Sequence, residues 1–215
     1  MDRRMRAALL AALVALVAAA SPGAAANNIV LPRSGQVGLG IQGQFGTMMS
    51  SGGLGEEFGS GGGLTVKVRY RMRFERAIGL TFGMQKLGAR DPSGRGGAFD
   101  SIEVVPGTTE VLREWLQLNM AGFEFYQLFD TRDRTVKFIS AGLGLTQLSS
   151  HLSSGETQYP IAGDGVYVSL GAGIERFFFR SMAWDLGLTY MGILHDQKLN
   201  NSFQLQGGII FYAAY

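Results

Sequence analysis

The stretch LTVKVRYRMRF, residues 64–74, alternates without a break between apolar and basic side chains. Successive side chains of a β-strand point to opposite sides of the sheet. Lys67, Arg69, Arg71 and Arg73 therefore share one face, and Leu64, Val66, Val68, Tyr70, Met72 and Phe74 share the other. On a lipid-facing wall a Lys or Arg costs about 2–4 kcal/mol near the bilayer midplane, so four of them cost on the order of 10 kcal/mol. That rivals the net stability of a whole domain. The apolar face suits hydrocarbon, and the basic face requires water or other polar groups.

The same period of two recurs along the chain and predicts strands at 36–49, 64–74, 77–87, 110–127, 135–148, 165–177, 182–194 and 202–215. No segment of helical period competes with them. Val37, Leu39, Ile41 and Phe45 oppose Gln36, Gln42 and Gln44; Ile78, Leu80, Phe82 and Met84 oppose Thr81 and Gln85. Val166, Val168, Leu170, Ala172 and Ile174 oppose Ser169 and Glu175, while Trp184, Leu186, Leu188 and Tyr190 oppose Asp185 and Thr189. Charges on the apolar parity, such as Lys86, Lys137 and Arg176, fall at strand ends, where a long stem can lie along hydrocarbon while its charge reaches the headgroups.

In EVLREWLQLNMAGFEFYQLF, Leu116, Leu118 and Met120 set an outward parity that Glu124 then shares. A bulge near Ala121-Gly122 is expected there, exchanging the faces and turning Glu124 inward.

The predicted connections alternate in length. Those at Glu75-Arg76, 128–134 and 178–181 are short, whereas those at 50–63, 88–109, 149–165 and 195–201 are mostly longer and rich in Gly, Ser, Asn and Asp. With eight strands, all short turns lie at the end that holds both termini. This is the layout of an all-β, eight-stranded, antiparallel up-and-down transmembrane barrel with periplasmic turns and extracellular loops. Tyr70, Phe74, Tyr126, Phe138, Phe178, Trp184, Phe211 and Tyr215 gather near the short turns, as expected of an interfacial aromatic girdle.

The chain begins with a basic head at Arg3, Arg4 and Arg6, an apolar run from Ala7 to Ala20, and small residues at 24–26. This reads as a cleaved secretory signal over 1–26, with 27–35 a short periplasmic segment and 36–215 the barrel. The apolar run is shorter than the roughly 20 residues of a membrane-crossing helix. Loss of the signal removes three of the 19 basic and one of the 17 acidic residues. Equal numbers remain, which gives no electrostatic reason to expect a nucleic-acid partner. With no cysteine, the sequence offers no disulfide, thiolate metal site or catalytic thiol.

The glycine-punctuated hairpin VSLGAGIERFFFRSMAWDLGLTY, residues 168–190, resembles the barrel domain of the OmpA/OmpX-like outer-membrane proteins. The closing FQLQGGIIFYAAY is similar to the C-terminal signal read by the outer-membrane assembly machinery, with Phe203, Leu205, Ile209, Phe211 and Tyr215 on one face. The resemblance implies an integral outer-membrane protein in contact with lipid and lipopolysaccharide, monomeric and exported. The final residue is Tyr215 where such barrels more often end in Phe. The chain stops with the barrel, so the peptidoglycan-binding role of some relatives is not carried over.

An eight-stranded barrel is just wide enough to be filled by its own side chains. Lys67, Arg69, Arg71 and Arg73 are expected to meet Glu175 and Asp185 in a lumen ion-pair cluster, because unpaired charges in a confined interior are costly. A narrow pore lined by the same residues is the competing reading, and a soluble exported barrel with an apolar cavity is another. His151, Ser153 and Glu156 offer base, nucleophile and acid in a loop that distantly resembles the His-x-Ser motif of lipid A 3-O-deacylases, with Ser154 where that family has Asn. The structural expectation is that no residue is catalytic and that no metal or cofactor is held; His195 beside Asp196 is a weak metal site. The glycines of 59–63 lack the Lys of a phosphate loop. The extracellular loops are left as the place where a surface ligand binds.

Overall fold

The computed structural model describes residues 34–49, 53–73, 75–89, 103–104, 111–112, 115–154 and 157–213. Residues 1–26, read above as a secretory signal, and Phe74, Glu156 and Tyr215 lie outside the described residues. Eight long strands, β1 (Val37–Met48), β2 (Phe58–Arg73), β3 (Arg76–Ala89), β6 (Trp115–Phe129), β7 (Thr135–Ser154), β8 (Thr157–Phe179), β9 (Met182–His195) and β10 (Lys198–Tyr212), close into one antiparallel barrel. Its order is β1-β10-β9-β8-β7-β6-β3-β2. Between β3 and β6, β4 (Glu103–Val104) and β5 (Val111–Leu112) pair separately, and a single helical turn, α1 (Leu54–Glu57), precedes β2. Closure pairs β1 with β10, so neither terminal strand is left as an edge.

The outward faces are apolar and open. Leu143, Leu145 and Leu170 are 63%, 67% and 63% exposed, and Leu39, Ile41, Leu64, Phe82, Val168, Leu205 and Phe211 join them in a belt round the wall. Soluble monomers rarely expose apolar patches beyond a few hundred Å². A belt encircling the barrel makes hydrocarbon its solvent, and it overturns the reading of a soluble barrel that keeps its apolar face inside.

Several sequence expectations are corrected. Pairing of β6 with β3 and β7 runs without a register shift through 115–127, so no bulge lies at Ala121-Gly122. Glu124 does turn inward, and Leu116, Leu118 and Met120 turn inward with it. The error lay in treating apolar as outward: the top of this lumen is itself apolar. Tyr126 and Phe138 leave the expected girdle and face the lumen, while Tyr70, Trp184 and Phe211 are exposed on the outer wall.

The strands also outrun their predicted ends. β2 begins at Phe58, and β7 and β8 pair from Ser154↔Thr157 downward, so most of the predicted 149–165 loop is a hairpin standing above the belt. The predicted 195–201 loop is a two-residue turn. Asp196 and Gln197 have φ of 47° and 61°, the left-handed pair of a type I′ hairpin.

Candidate functional site

The lumen is layered. At its extracellular end Met48, Leu87, Leu116, Leu118, Met120, Leu148, Met191 and Ile193 pack together, and Leu54 and Phe58 close over them. The Leu54 N–H donates to Asn200 Oδ1 at 2.8 Å, tying α1 to β10 across the mouth. Below lies a chain of amides: Lys67 Nζ donates to Gln206 Oε1 at 2.8 Å, Gln206 to Gln204 at 3.2 Å, and Gln204 to Gln85 at 2.9 Å.

The ion pairs form the next layer. Arg69 donates to Glu175 and to Asp185, each at 3.0 Å, and Arg71 donates to the same Glu175 oxygen at 3.1 Å. Lys67 stands 3.6 Å from Glu124, and the Tyr126 hydroxyl donates to that carboxylate as well. All six charged groups are buried, three of each sign. Shared hydrogen bonds and balanced charge are what make burial of such groups tolerable.

Local sequence explains how long side chains from β2 span the barrel. Arg69 is flanked in register by Gly38 on β1 and Gly79 on β3. A Cβ on Gly38 would meet the Tyr212 ring at 2.7 Å, and one on Gly79 the Tyr126 ring at 3.1 Å. With no side chain on either flank, the guanidinium crosses to Glu175 and Asp185, which pair side by side on β8 and β9.

Aromatics seal the periplasmic end. The Arg69 guanidinium lies 4.1 Å from the Tyr126 ring centroid and 5.3 Å from that of Phe138, and Arg71 lies over Tyr212 and Phe177. These cation–π contacts supply the cations with neighbours that carbon alone does not. Leu128, Val136, Ala183 and Ile210 complete the layer.

Of the residues singled out by sequence, Lys67, Arg69, Arg71, Glu175 and Asp185 come together. Arg73 does not: it is exposed at the short-turn end, beyond a register shift between Arg71 and Arg73. Glu124, Tyr126, Phe138, Tyr212 and the glutamines were missed as parts of the cluster. Their signal was present as unbroken alternation through 116–128 and as inward parity on β3, β7 and β10. Phe203, Leu205, Ile209 and Phe211 share the outer face of β10. His151 and Ser153 occupy alternate positions on β7. The His195 ring, at the β9–β10 turn, has Nδ1 3.2 Å from the Asp164 carbonyl and Nε2 3.4 Å from Asp196. Among the described residues no group of three or more His, Asp or Glu side chains is placed to hold a metal ion.

A closed eight-stranded barrel with a lipid-facing belt and a filled polar lumen defines a small integral outer-membrane β-barrel protein. Its shape is shared with solved structures of that class. Neisserial surface protein A superposes with a TM-score of 0.53 at 15% identity, covering 81% of this chain and 96% of that one. Ail, the attachment invasion locus protein of Yersinia pestis, crystallised with the heparin analogue sucrose octasulfate, gives 0.54 at 13% identity, covering 83% and 99%. No family model and no curated protein matches the sequence. The likeness is one of fold.

Proposed function

We propose that this barrel is a non-catalytic, non-conducting outer-membrane scaffold whose biological contacts are made by the extracellular β7–β8 hairpin and neighbouring connections. One observation carries the reading: the lumen is blocked at three successive levels, by the apolar cap, the ion pairs and the aromatic floor. Function then resides on the outside. The buried charges act as an internal strut, and the outer face of β10 serves as the signal for the assembly machinery.

The hairpin supports this reading in two ways. It stands above the lipid-facing belt, and its β8 strand pairs with β9 only from Val166 downward. Among the described residues, 157–164 therefore present one open main-chain edge, to which an extended peptide can add. His195 occupies the Asp164 carbonyl at the foot of that edge. Pro160, on the same parity, removes an N–H and blunts indiscriminate pairing.

A polyanion such as the heparin analogue bound by Ail is a poor match here. The β3–β6 connection carries Asp91, Asp100, Glu103, Glu110 and Glu114 against Arg90, Arg95 and Arg113. A neutral or basic protein surface suits it better. The test compares bacteria displaying this chain with bacteria displaying a form in which 150–161 is replaced by a two-residue turn. Adherence to immobilised proteins should fall with the hairpin removed. Equal adherence of both strains would leave the hairpin without a role, and altered lipid A mass in expressing cells would restore the enzymatic reading of His151, Ser153 and Glu156.

A further inference from the structure

The periplasmic rim is strongly basic. Arg73, Arg76, Arg132, Arg176 and Arg180 are exposed there and make no ion pair among the described residues. Three acidic residues share the rim, Glu75, Asp130 and Asp133, and Asp130 is occupied by Lys137 at 2.9 Å.

Two features make this more than a solvated edge. Arg73 and Arg76 stand directly opposite each other at the β2–β3 turn, a like-charge pairing that disfavours the hairpin unless an anion joins them. Arg176 lies on the lipid-facing parity of β8, in register with the outward Trp184 of β9. Its charge is thus held against the bilayer boundary, continuous with the apolar belt and beside an interfacial aromatic.

We infer that the periplasmic rim is a docking surface for anionic phospholipid of the inner leaflet, with Arg73, Arg76, Arg176 and Arg180 receiving its phosphates. This rests on the reading of the chain as an outer-membrane barrel. The bidentate, permanently charged guanidinium matches phosphate geometry, and basic groups at a membrane surface attract anionic lipid within a Debye length. The consequence is positional: the anionic inner leaflet fixes the depth of the barrel from its periplasmic side.

The chain has two tryptophans, Trp115 near the extracellular end of β6 and Trp184 at the periplasmic rim. In a Trp115→Phe variant, fluorescence reports Trp184 alone. The protein is reconstituted into phosphatidylcholine vesicles containing phosphatidylglycerol, with either the choline or the glycerol lipid brominated. Brominated phosphatidylglycerol should quench Trp184 with an apparent affinity about threefold above brominated phosphatidylcholine, and the preference should vanish in R73Q/R76Q/R176Q/R180Q. The quadruple Arg→Lys variant should keep most of it, and boiling-dependent mobility in SDS gels confirms that each variant folds. Equal quenching by both lipids, or a preference that survives the Gln variant, overturns the inference. Quenching by neither lipid would instead overturn the outer-membrane reading.

Discussion

Arg69, rooted in β2, and Glu175, rooted in β8, meet at 3.0 Å across the width of the barrel, with Arg71 sharing the same carboxylate oxygen. Removing one member of a buried pair leaves an uncompensated charge and typically costs about 3–5 kcal/mol. Glu175→Gln is therefore expected to destabilise the barrel by about that much in urea unfolding from lipid vesicles. Replacing Arg69, Arg71, Glu175 and Asp185 together with apolar residues and neutral amides should cost less than Glu175→Gln alone, because no charge is left stranded. Additive losses would show that these groups do not act as one unit.

The layered lumen predicts electrical silence. Purified protein in planar bilayers should give no stable conductance steps, since ions would have to pass Leu116 and Leu118, the Arg69 ion pairs and the Tyr126–Phe138 layer in turn. Thinning only the cap, by Leu116→Ala and Leu118→Ala, should leave it silent. Discrete openings from the unaltered protein would show that the layers part.

Met120 and Ala121 are neighbours in sequence that face different solvents: Met120 is 8% exposed within the lumen and Ala121 points to lipid. The chain contains no cysteine, so single-cysteine variants carry one label each. A spin label at 121 should be highly accessible to oxygen dissolved in the bilayer, and one at 120 should not. The reverse result would restore the bulge.

That pair also marks how far the sequence could be read. Where a strand placed Lys67, Arg69, Gln42, Glu175 or Asp185 on one face, burial of polar groups in a membrane barrel assigned inside and outside correctly. On β6 the rule misled, because Leu116, Leu118 and Met120 cap the lumen and are as apolar as the lipid face. Alternation without a break, running from Leu116 to Glu124 and Tyr126, was the better guide than hydrophobicity. Strand ends above the membrane were lost for a related reason. In 59–63 the sequence is Gly-Ser-Gly-Gly-Gly, and 149–165 mixes Ser, Gly, Pro and Asp with scattered apolar residues, so neither stretch alternates clearly enough to signal pairing. The lumen cluster was legible through its charges, whereas the aromatic and amide groups around Arg69 were visible only once the register fixed which residues face inward.

The β9–β10 turn holds two non-glycine residues, Asp196 and Gln197, in left-handed conformation. Each non-glycine residue there costs about 1–2 kcal/mol, less for Asp. Replacing the pair with Asn-Gly, the sequence favoured by a type I′ turn, should stabilise the barrel by about 1 kcal/mol, seen as a higher urea midpoint with unchanged slope. A loss of stability would mean that the Asp196 contact with His195, at 3.4 Å, outweighs the backbone preference.

The last strand carries its prediction in a kinetic rather than a thermodynamic form. Phe203, Leu205, Ile209 and Phe211 lie on the outer face of β10, and that strand must find β1 to close the wall. Phe211 is 46% exposed and opposes Leu39 across the β1–β10 seam, so shortening it removes lipid contact rather than core packing. If this face is read by the assembly machinery, Phe211→Ala and deletion of Tyr215 should each lower the amount reaching the outer membrane several-fold in cells. The same variants, refolded from urea into detergent without any machinery, should differ from the unaltered protein by no more than about 1–2 kcal/mol. A defect of equal size in both settings would assign the face to barrel stability alone. A defect confined to cells would separate recognition from folding.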